Sequence, residues 1–290
     1  MIELSAPAKI NLFLYVLSRR EDGYHELVTR MQKIDLCDRI EISTTDTPGI
    51  QFKCDHKSLP AGNNNLAVIA ARKFLKAAGL WPHRGIQIRL EKNIPIAAGL
   101  GGGSSDAGTV LKGLNTLIDT PFSPDQLVDI AKTIGADVPF FAVEHTAVVA
   151  TGVGEYLSPV PDIEGFWILL VNPGISVSTR SVFENYALTT LSKNSKVSGF
   201  EYSGLSSFSP EQMHNDLETV TMSSHPVVET IKHSLIEAGA AAAMMSGSGP
   251  TLFGLFPLEL FTASEINSLV DQFTIVYGRR VYATRTYAGA

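Results

Sequence analysis

A glycine-rich loop between a strand pattern and a helix pattern is the feature that most limits how this chain can fold. Gly99 and residues 101–103 place four glycines within five positions, and Ser104 and Ser105 follow directly. Glycine has no β-carbon and readily adopts positive φ, so such a loop lets backbone N–H groups approach an anion. A helix starting near Asp106 and capped by either serine would add its positive N-terminal end. The pattern predicts a phosphate site, with a flexible turn as the alternative.

The two most common phosphate loops do not fit this segment. A Walker A loop requires a lysine after its last glycine, and here Ser104 follows Gly103. The dinucleotide-binding pattern fails at the same place, because Ser104 stands where that pattern has its final glycine. The loop therefore predicts a phosphate site of another class.

Composition limits the remaining choices. The chain has 290 residues, is 44% hydrophobic and carries a net charge of -6. This size favours two domains, and the acidic balance leaves no basic stripe for nucleic acid. Cys37 and Cys54 lack metal-type spacing and are too few for a disulfide scaffold, so a reducing compartment is expected. We expect a cytoplasmic protein, or a plastid stromal one after loss of a transit peptide, with no membrane span and no obligate protein partner.

Hydrophobic periodicity predicts an α+β fold. Strands are predicted over residues 2–17, 26–45, 86–90, 147–151, 166–171, 241–245, 251–256 and 280–285. Helices are predicted over residues 66–78, 106–117, 125–134, 226–238 and 262–273. Residues 192–210 are rich in serine and glycine, without periodicity, and predict a mobile loop.

Two charged residues stand in otherwise apolar segments. Lys9 interrupts an apolar strand pattern, and Asp137 lies in the apolar stretch 135–141. A lone buried charge is unfavourable by several kcal/mol, so the two residues are expected to pair or to face a polar cleft. Taken singly, Lys9 also fits a snorkelling strand residue, and Asp137 ahead of Pro139 also fits a helix cap. Together with the loop they supply the phosphate cradle, cation and proton acceptor that phosphoryl transfer needs.

Five ordered motifs carry a family resemblance. They are SAPAKINL at 5–12, DGYHEL at 22–27, GLGGGSS at 99–105, GADVPFF at 135–141 and NDLE at 215–218. These segments resemble the GHMP kinases over nearly the whole chain. The resemblance implies a two-domain α+β fold with the active site between the domains. Residues 1–158 would form a domain like domain 2 of ribosomal protein S5, and residues 159–290 a ferredoxin-like domain.

The resemblance also implies the reaction. ATP, with Mg²⁺, would phosphorylate a hydroxyl of a cytidylylated methylerythritol on the non-mevalonate route to isoprenoid precursors. Asp137 falls at the position of the catalytic base, Lys9 at the lysine that orients it, and Asn11 where substrate hydroxyls are held. The positions that match ATP contacts are Asn65, Leu66, Lys92, Pro95, Gly99, Leu100, Gly101, Gly102, Gly103, Ser104 and Ser105.

The cytosine of such a substrate needs flat side chains and a polar partner. Tyr24, His25 and Phe183 match the family positions for this role, although His25 also fits a hydrogen-bonded loop residue and Phe183 a core aromatic. Another kinase of the family, acting on homoserine, mevalonate or a sugar, would keep the loop without needing this slot. A non-catalytic nucleotide-binding relative would keep the loop and lose Lys9 and Asp137. The Mg²⁺ ligands stay open, with Ser104, Ser105 and Asp106 as candidates.

Overall fold

The computed structural model describes residues 1–56, 59, 62, 64–119, 122–186 and 208–289. Two long antiparallel strands, β1 (Ile2–Arg19) and β2 (His25–Thr45), form the spine of the molecule. Side chains alternate between the two faces of a strand, so Lys9 and Asn11 of β1 share one face and Ile10 and Leu12 share the other. The apolar face packs into the core, while the polar face points toward the candidate site.

Five further strands complete a seven-stranded sheet. They are β3 (Gly49–Cys54), β4 (Gly85–Glu91), β5 (Ala147–Gly152), β6 (Tyr156–Pro159) and the two-residue β8 (His214–Asn215). The main path runs β3-β4-β2-β1-β8, with β5 on β2 and β6 on β5. The pairs β3–β4 and β1–β8 are parallel.

Four helices belong to this half of the chain. They are α1 (Leu66–Ala77), α2 (Gly102–Leu117), α3 (Pro124–Lys132) and α4 (Val138–Ala142). Apolar side chains of α1 and α2, such as Phe74 and Leu111, pack on Ile40 and Ile88 of the sheet. The body of α2 therefore lies against the core, and its glycine-rich start lies at the edge of the candidate site.

The second sheet has four antiparallel strands in the order β11-β7-β10-β9. They are β7 (Phe166–Val171), β9 (Ala242–Met245), β10 (Leu252–Pro257) and β11 (Val281–Thr284). Four helices accompany it: α5 (Thr179–Tyr186), α6 (Glu218–Ser224), α7 (Val227–Glu237) and α8 (Ala263–Tyr277). Within the described ranges, no helix is both long and apolar enough to cross a bilayer.

The α+β class is confirmed, and the long predicted elements are present. Short elements were missed, namely β3, β6, β8, α4, α5 and α6. The predicted start of α2 near Asp106 is wrong, because the helix begins at Gly102. The predicted mobile loop lies outside the described residues over positions 192–207; its last residues lead into a 3₁₀ turn at Pro210–Gln212. The division of the chain at residue 158 stays a prediction.

Candidate active site

A cavity of about 580 Å³ opens between the glycine-rich loop, β1 and the segment that joins β9 to β10. Most of the residues predicted from the sequence line it. They are Lys9, Asn11, Asn65, Leu66, Lys92, Pro95, Gly99, Leu100, Gly101, Gly102, Gly103, Ser104, Asp137 and Phe183. Ser105, Tyr24 and His25 are not among the lining residues. One cavity thus gathers side chains from both halves of the chain.

The glycine-rich loop needs glycine at positions 99 and 101 for two physical reasons, positive φ and the lack of room for a β-carbon. Gly99 and Gly101 have φ of +76° and +70°, the left-handed region that glycine adopts without strain. A β-carbon on Gly99 would lie 2.1 Å from the carbonyl oxygen of Ser246. One on Gly101 would lie 3.0 Å from Cγ of Lys9. The loop is therefore packed tightly against both β1 and the β9–β10 segment.

The carbonyl groups of the loop are turned toward the protein. Ser246 Oγ donates to the Gly99 carbonyl (3.0 Å), and the Lys9 N–H donates to the Leu100 carbonyl (2.9 Å). The Thr251 N–H approaches the Ala98 carbonyl at 3.4 Å. With these acceptors fixed on the protein side, the opposite side of the loop is presented to the cavity.

The expected serine cap of α2 is wrong. The cap residue is Gly101, which forms no side-chain cap, and both serines lie inside the first turn. Ser105 is fully buried, and its Oγ has no hydrogen-bond partner among the described residues. A helix start without a side-chain cap leaves its first N–H groups free to bind another acceptor. Because Gly102, Gly103 and Ser104 line the cavity, that acceptor would be an anion bound there.

Lys9 and Asp137 lie together at the base of the cavity, as predicted. Lys9 is 4% exposed; its Nζ donates to Asn11 Oδ1 and lies 3.9 Å from Asp137 Oδ2. Burial lowers the pKa of Lys9, and the attraction of Asp137 opposes that change. Asp137 occupies the cap position of α4, but its carboxylate makes no cap hydrogen bond. The helix therefore does not use this carboxylate, whose ion-pair partner is Lys9.

Asn11 is fixed by a threonine that the sequence analysis missed. The Asn11 Nδ2 donates to Thr29 Oγ1 (2.8 Å), and Thr29 Oγ1 donates to the Phe13 carbonyl (2.7 Å). Thr29 lines the cavity from β2. Thr29 is one of many polar residues in β2, so the sequence did not single it out; its hydrogen bonds orient the Asn11 carboxamide.

Lys92 has a different environment from the one expected near a nucleotide. Its ammonium is buried between the carboxylates of Asp38 and Asp106, the latter 3.1 Å away. Asp38 also accepts the N–H groups of Asn93 (2.7 Å) and Ile94 (2.8 Å). Burial raises the pKa of Asp106 to about 7, although Lys92 opposes the shift. Lys92 thus lines the cavity and also holds the first turn of α2.

Of the three residues expected to hold a cytosine, two lie together. The rings of His25 and Phe183 stack with centroids 5.2 Å apart. Burial and, to a smaller extent, nearby Arg19 lower the pKa of His25. His25 is 7% exposed, and its Nε2 finds no hydrogen-bond partner in the described part of the chain. Tyr24 is 61% exposed at the turn before β2.

Two further walls of the cavity come from the start of α1 and from the second half of the chain. Asn65 caps α1 by accepting the Ala67 N–H (2.9 Å), which places Leu66 at the cavity wall. Opposite them, Thr179 and Ser248 share a hydrogen bond of 2.8 Å, and both line the cavity with Gly247. Gly247 and Ser248 belong to a run of mostly small residues, MSGSGPT at 245–251, whose pattern fits a loop that joins two strands as well as a phosphate site.

Two family models and several known proteins match this chain. The family models described as "GHMP kinases N terminal domain" and "GHMP kinases C terminal" match residues 65–145 and 204–273. A protein of Desulfotalea psychrophila named 4-diphosphocytidyl-2-C-methyl-D-erythritol kinase is 46% identical over 98% of this chain and 95% of its own. A Syntrophotalea carbinolica protein of the same name is 49% identical over 87% of this chain and 88% of its own.

A solved structure titled 4-(cytidine 5'-diphospho)-2C-methyl-D-erythritol kinase is 32% identical, covers 98% of both chains and has a TM-score of 0.75. Fold and site together define a small-molecule kinase of the GHMP class. The identity to the curated relatives extends over nearly the whole chain. The chain belongs to the 4-diphosphocytidyl-2-C-methyl-D-erythritol kinase family.

Proposed function

We propose that this chain, in the cytoplasm, transfers the γ-phosphoryl group of ATP to the 2-hydroxyl of 4-diphosphocytidyl-2-C-methyl-D-erythritol. The products are the 2-phosphate and ADP, in the non-mevalonate route to isoprenoid precursors. The observation that carries the proposal is the position of Lys9 and Asp137 beside the glycine-rich start of α2, in the cavity that Phe183 also lines. That arrangement places a cation and a proton acceptor next to a phosphate cradle.

The nucleotide phosphates belong at the start of α2. Backbone N–H groups at a helix N-terminus, together with the helix dipole, favour negative charge. The carbonyls of Gly99 and Leu100 are held on the protein side, so the loop presents little negative charge to the triphosphate. Asn65 and Leu66 lie at the adjoining wall, where the proposed adenine side of the nucleotide would sit.

The proton transfer is assigned to Asp137. As the substrate hydroxyl oxygen forms its bond to the γ-phosphorus, the bond from that phosphorus to the β–γ bridging oxygen breaks and ADP leaves. The hydroxyl proton moves to a carboxylate oxygen of Asp137. Lys9, 3.9 Å from that carboxylate, orients it and offsets charge on the phosphoryl oxygens. Asn11, fixed by Thr29, is placed to hold the substrate hydroxyls.

The residues at the start of α2 fit a role in binding Mg²⁺. Asp106 lines the cavity, and its Oδ1 has no hydrogen-bond partner among the described residues. The described ranges contain no cluster of three or more His, Cys, Asp or Glu residues for a metal cage. Mg²⁺ in kinases is usually held by phosphate oxygens with one or two protein ligands, so Asp106 and Ser104 would supply them. The ion would neutralise charge on the phosphates.

The cytidine end is assigned to Phe183, His25 and Tyr24. Phe183 offers a ring at the cavity wall, and His25, which does not line the cavity, stacks on one face of that ring. Since the His25 and Phe183 rings are only 5.2 Å apart, a base would not fit between them. We therefore place the cytosine on the other face of Phe183, with exposed Tyr24 as the second flat surface.

A substrate panel tests the proposal. ATP consumption is measured in parallel with the cytidylyl compound, mevalonate, galactose and homoserine, each with Mg²⁺ and with excess EDTA. We expect efficient turnover of the cytidylyl compound alone, and loss of activity in EDTA. Turnover of mevalonate or homoserine without the cytidylyl compound would overturn the substrate assignment. Undiminished turnover in EDTA would overturn the Mg²⁺ assignment.

A further inference from the structure

A second buried lysine lies directly opposite Lys9. In the antiparallel pairing of β1 and β2, Lys9 and Lys33 are cross-strand partners, so their side chains leave the same face of the sheet. Lys33 is 3% exposed. Its Nζ donates to the carbonyl oxygen of Val143 (2.9 Å) and lies 4.9 Å from the ring centroid of Phe140. Both contacts are to α4 or to its C-terminal cap.

Helix α4 needs support from outside. It has five residues, which corresponds to a length of about 7.5 Å, and so short a helix is not stable alone. Asp137 gives no side-chain cap at its start, and Val143 at its end is extended. The last carbonyls of a helix lack internal partners and favour a donor or a cation. Lys33 supplies that donor from the neighbouring strand.

Ion pairing does not account for the burial of Lys33. No carboxylate among the described residues lies within 4.0 Å of its Nζ; the acidic side chains nearby act only at longer range. A buried lysine without an ion pair destabilises a fold relative to an apolar side chain of similar size. The benefit of a lysine at position 33 must then come from its contacts with Val143 and Phe140.

We infer that Lys33 is a positioning residue for Asp137: Lys33 holds the C-terminal end of α4 while Lys9 faces the N-terminal end. Two paired positions of the sheet thus fix both ends of the short helix that follows the carboxylate. The inference rests on the proposed role of Asp137 as proton acceptor. A displacement of about 1 Å at a reacting group can cost roughly 100-fold in rate, so a loosened α4 should slow the chemical step.

The test compares Lys33→Met and Lys33→Gln with the wild type, each in the wild-type and Asp137→Asn backgrounds. Methionine keeps the volume without the donor, and glutamine is polar but too short to reach the Val143 carbonyl. Lys112→Met is the matched control, because Lys112 pairs with the exposed Glu144 (3.5 Å) beside the same turn. The measurements are kcat, both KM values and the melting temperature.

We expect Lys33→Met and Lys33→Gln to lower kcat by roughly 10-fold to 100-fold, with both KM values within twofold and no loss of melting temperature for methionine. Lys112→Met should stay within twofold of wild type. In the Asp137→Asn background the Lys33 substitutions should have little further effect. Wild-type kcat in either folded Lys33 variant, or equal losses in both backgrounds, would overturn the inference. An unchanged kcat in Asp137→Asn alone would instead overturn the proposed base.

Discussion

At the scale of single residues, the site depends on where buried charges find partners. Lys9 has Asn11 and Asp137, whereas Lys92 lies between two carboxylates. Lys33 has only a carbonyl and an aromatic ring as direct contacts on α4. These environments support the different tasks that we propose for the three lysines: orienting a base, holding the start of α2 and holding the end of α4.

The first prediction concerns the proposed base. Asp137→Asn should lower kcat by roughly 100-fold to 10,000-fold, the usual range for a general base. ATP binding, followed by titration calorimetry, should be nearly intact. Lys9→Ala should also lower kcat, and the double variant should be little slower than the slower single variant, because the two residues act as a unit. A folded Asp137→Asn protein with near wild-type kcat would exclude the assignment.

The second prediction concerns the cytosine. Stacking a base on a ring is worth about 1–3 kcal/mol, so Phe183→Ala should raise KM for the cytidylyl substrate by roughly 5-fold to 150-fold. KM for ATP should hardly move. Tyr24→Ala should behave similarly, with Tyr156→Ala as its control, since both tyrosines are 61% exposed. A raised KM for ATP, or lost thermal stability alone, would make Phe183 an adenine contact or a core residue.

The third prediction follows from the pKa of Lys33. Burial and the positive charge of Lys112 lower this pKa from 10.5 to about 7. The negative charges of Glu144 and Asp162 oppose the shift. At a pH between these two pKa values, Lys33 is protonated in the unfolded chain and mostly neutral in the folded chain. The free energy of unfolding therefore rises with pH, by up to about 1.4 kcal/mol per pH unit. The neutral amine still donates to Val143. Urea unfolding of wild type and Lys33→Met at pH 7 and pH 9 measures the effect; an unchanged stability difference between the two proteins would contradict it.

At the scale of elements, two glycines of the loop are expected to have different roles. Gly99 should matter for folding, whereas Gly103 should matter for binding phosphate. Gly99 has positive φ and abuts the Ser246 carbonyl, whereas a β-carbon on Gly103 would meet only Leu66 Cδ1, at 3.4 Å. Gly103→Ala should therefore keep or raise the melting temperature, since alanine favours a helix. The added methyl would occupy the space through which a phosphate approaches the loop, and blocking one charge-assisted hydrogen bond in this way should raise KM for ATP by roughly 10-fold to 150-fold. Gly99→Ala should lower the melting temperature; the reverse order of effects would mean that Gly103 does not face the phosphates.

Some elements were predictable from sequence and others were not. Alternating polar and apolar residues predict β1 and β2, and helical spacing predicts α1. The glycine-rich loop predicts a phosphate site. Helix α4 has five residues, too few for a periodic signal, and the true start of α2 depends on Gly101 taking a left-handed conformation. The partner of Lys92, Asp38, lies 54 residues away in sequence, and only the β2–β4 pairing brings them together.

At the scale of the whole molecule, the two sheets share a core. Ile10 and Leu12 of β1 pack in one cluster with Leu170 of β7 and Phe253 of β10. The strand β8, which follows the second sheet's β7 in sequence, pairs with β1. Ser246 adds a hydrogen bond to the loop at Gly99. The walls of the cavity are therefore joined by packing and hydrogen bonds, which holds the glycine-rich loop and Asp137, the proposed phosphate site and base, in fixed relative positions.

This shared core gives the last prediction. If the cluster around Ile10 and Phe253 couples the two sheets, calorimetry should show one cooperative unfolding transition, with matching calorimetric and van't Hoff enthalpies. ATP should shift the whole transition upward, by about 2.7 kcal/mol of stability at 100 times its Kd. Phe253→Ala should lower stability by roughly 3–5 kcal/mol as a cavity forms where both sheets meet. Two separate transitions in the wild type, with only one moved by ATP, would show that the halves unfold independently and that the shared core does not couple them.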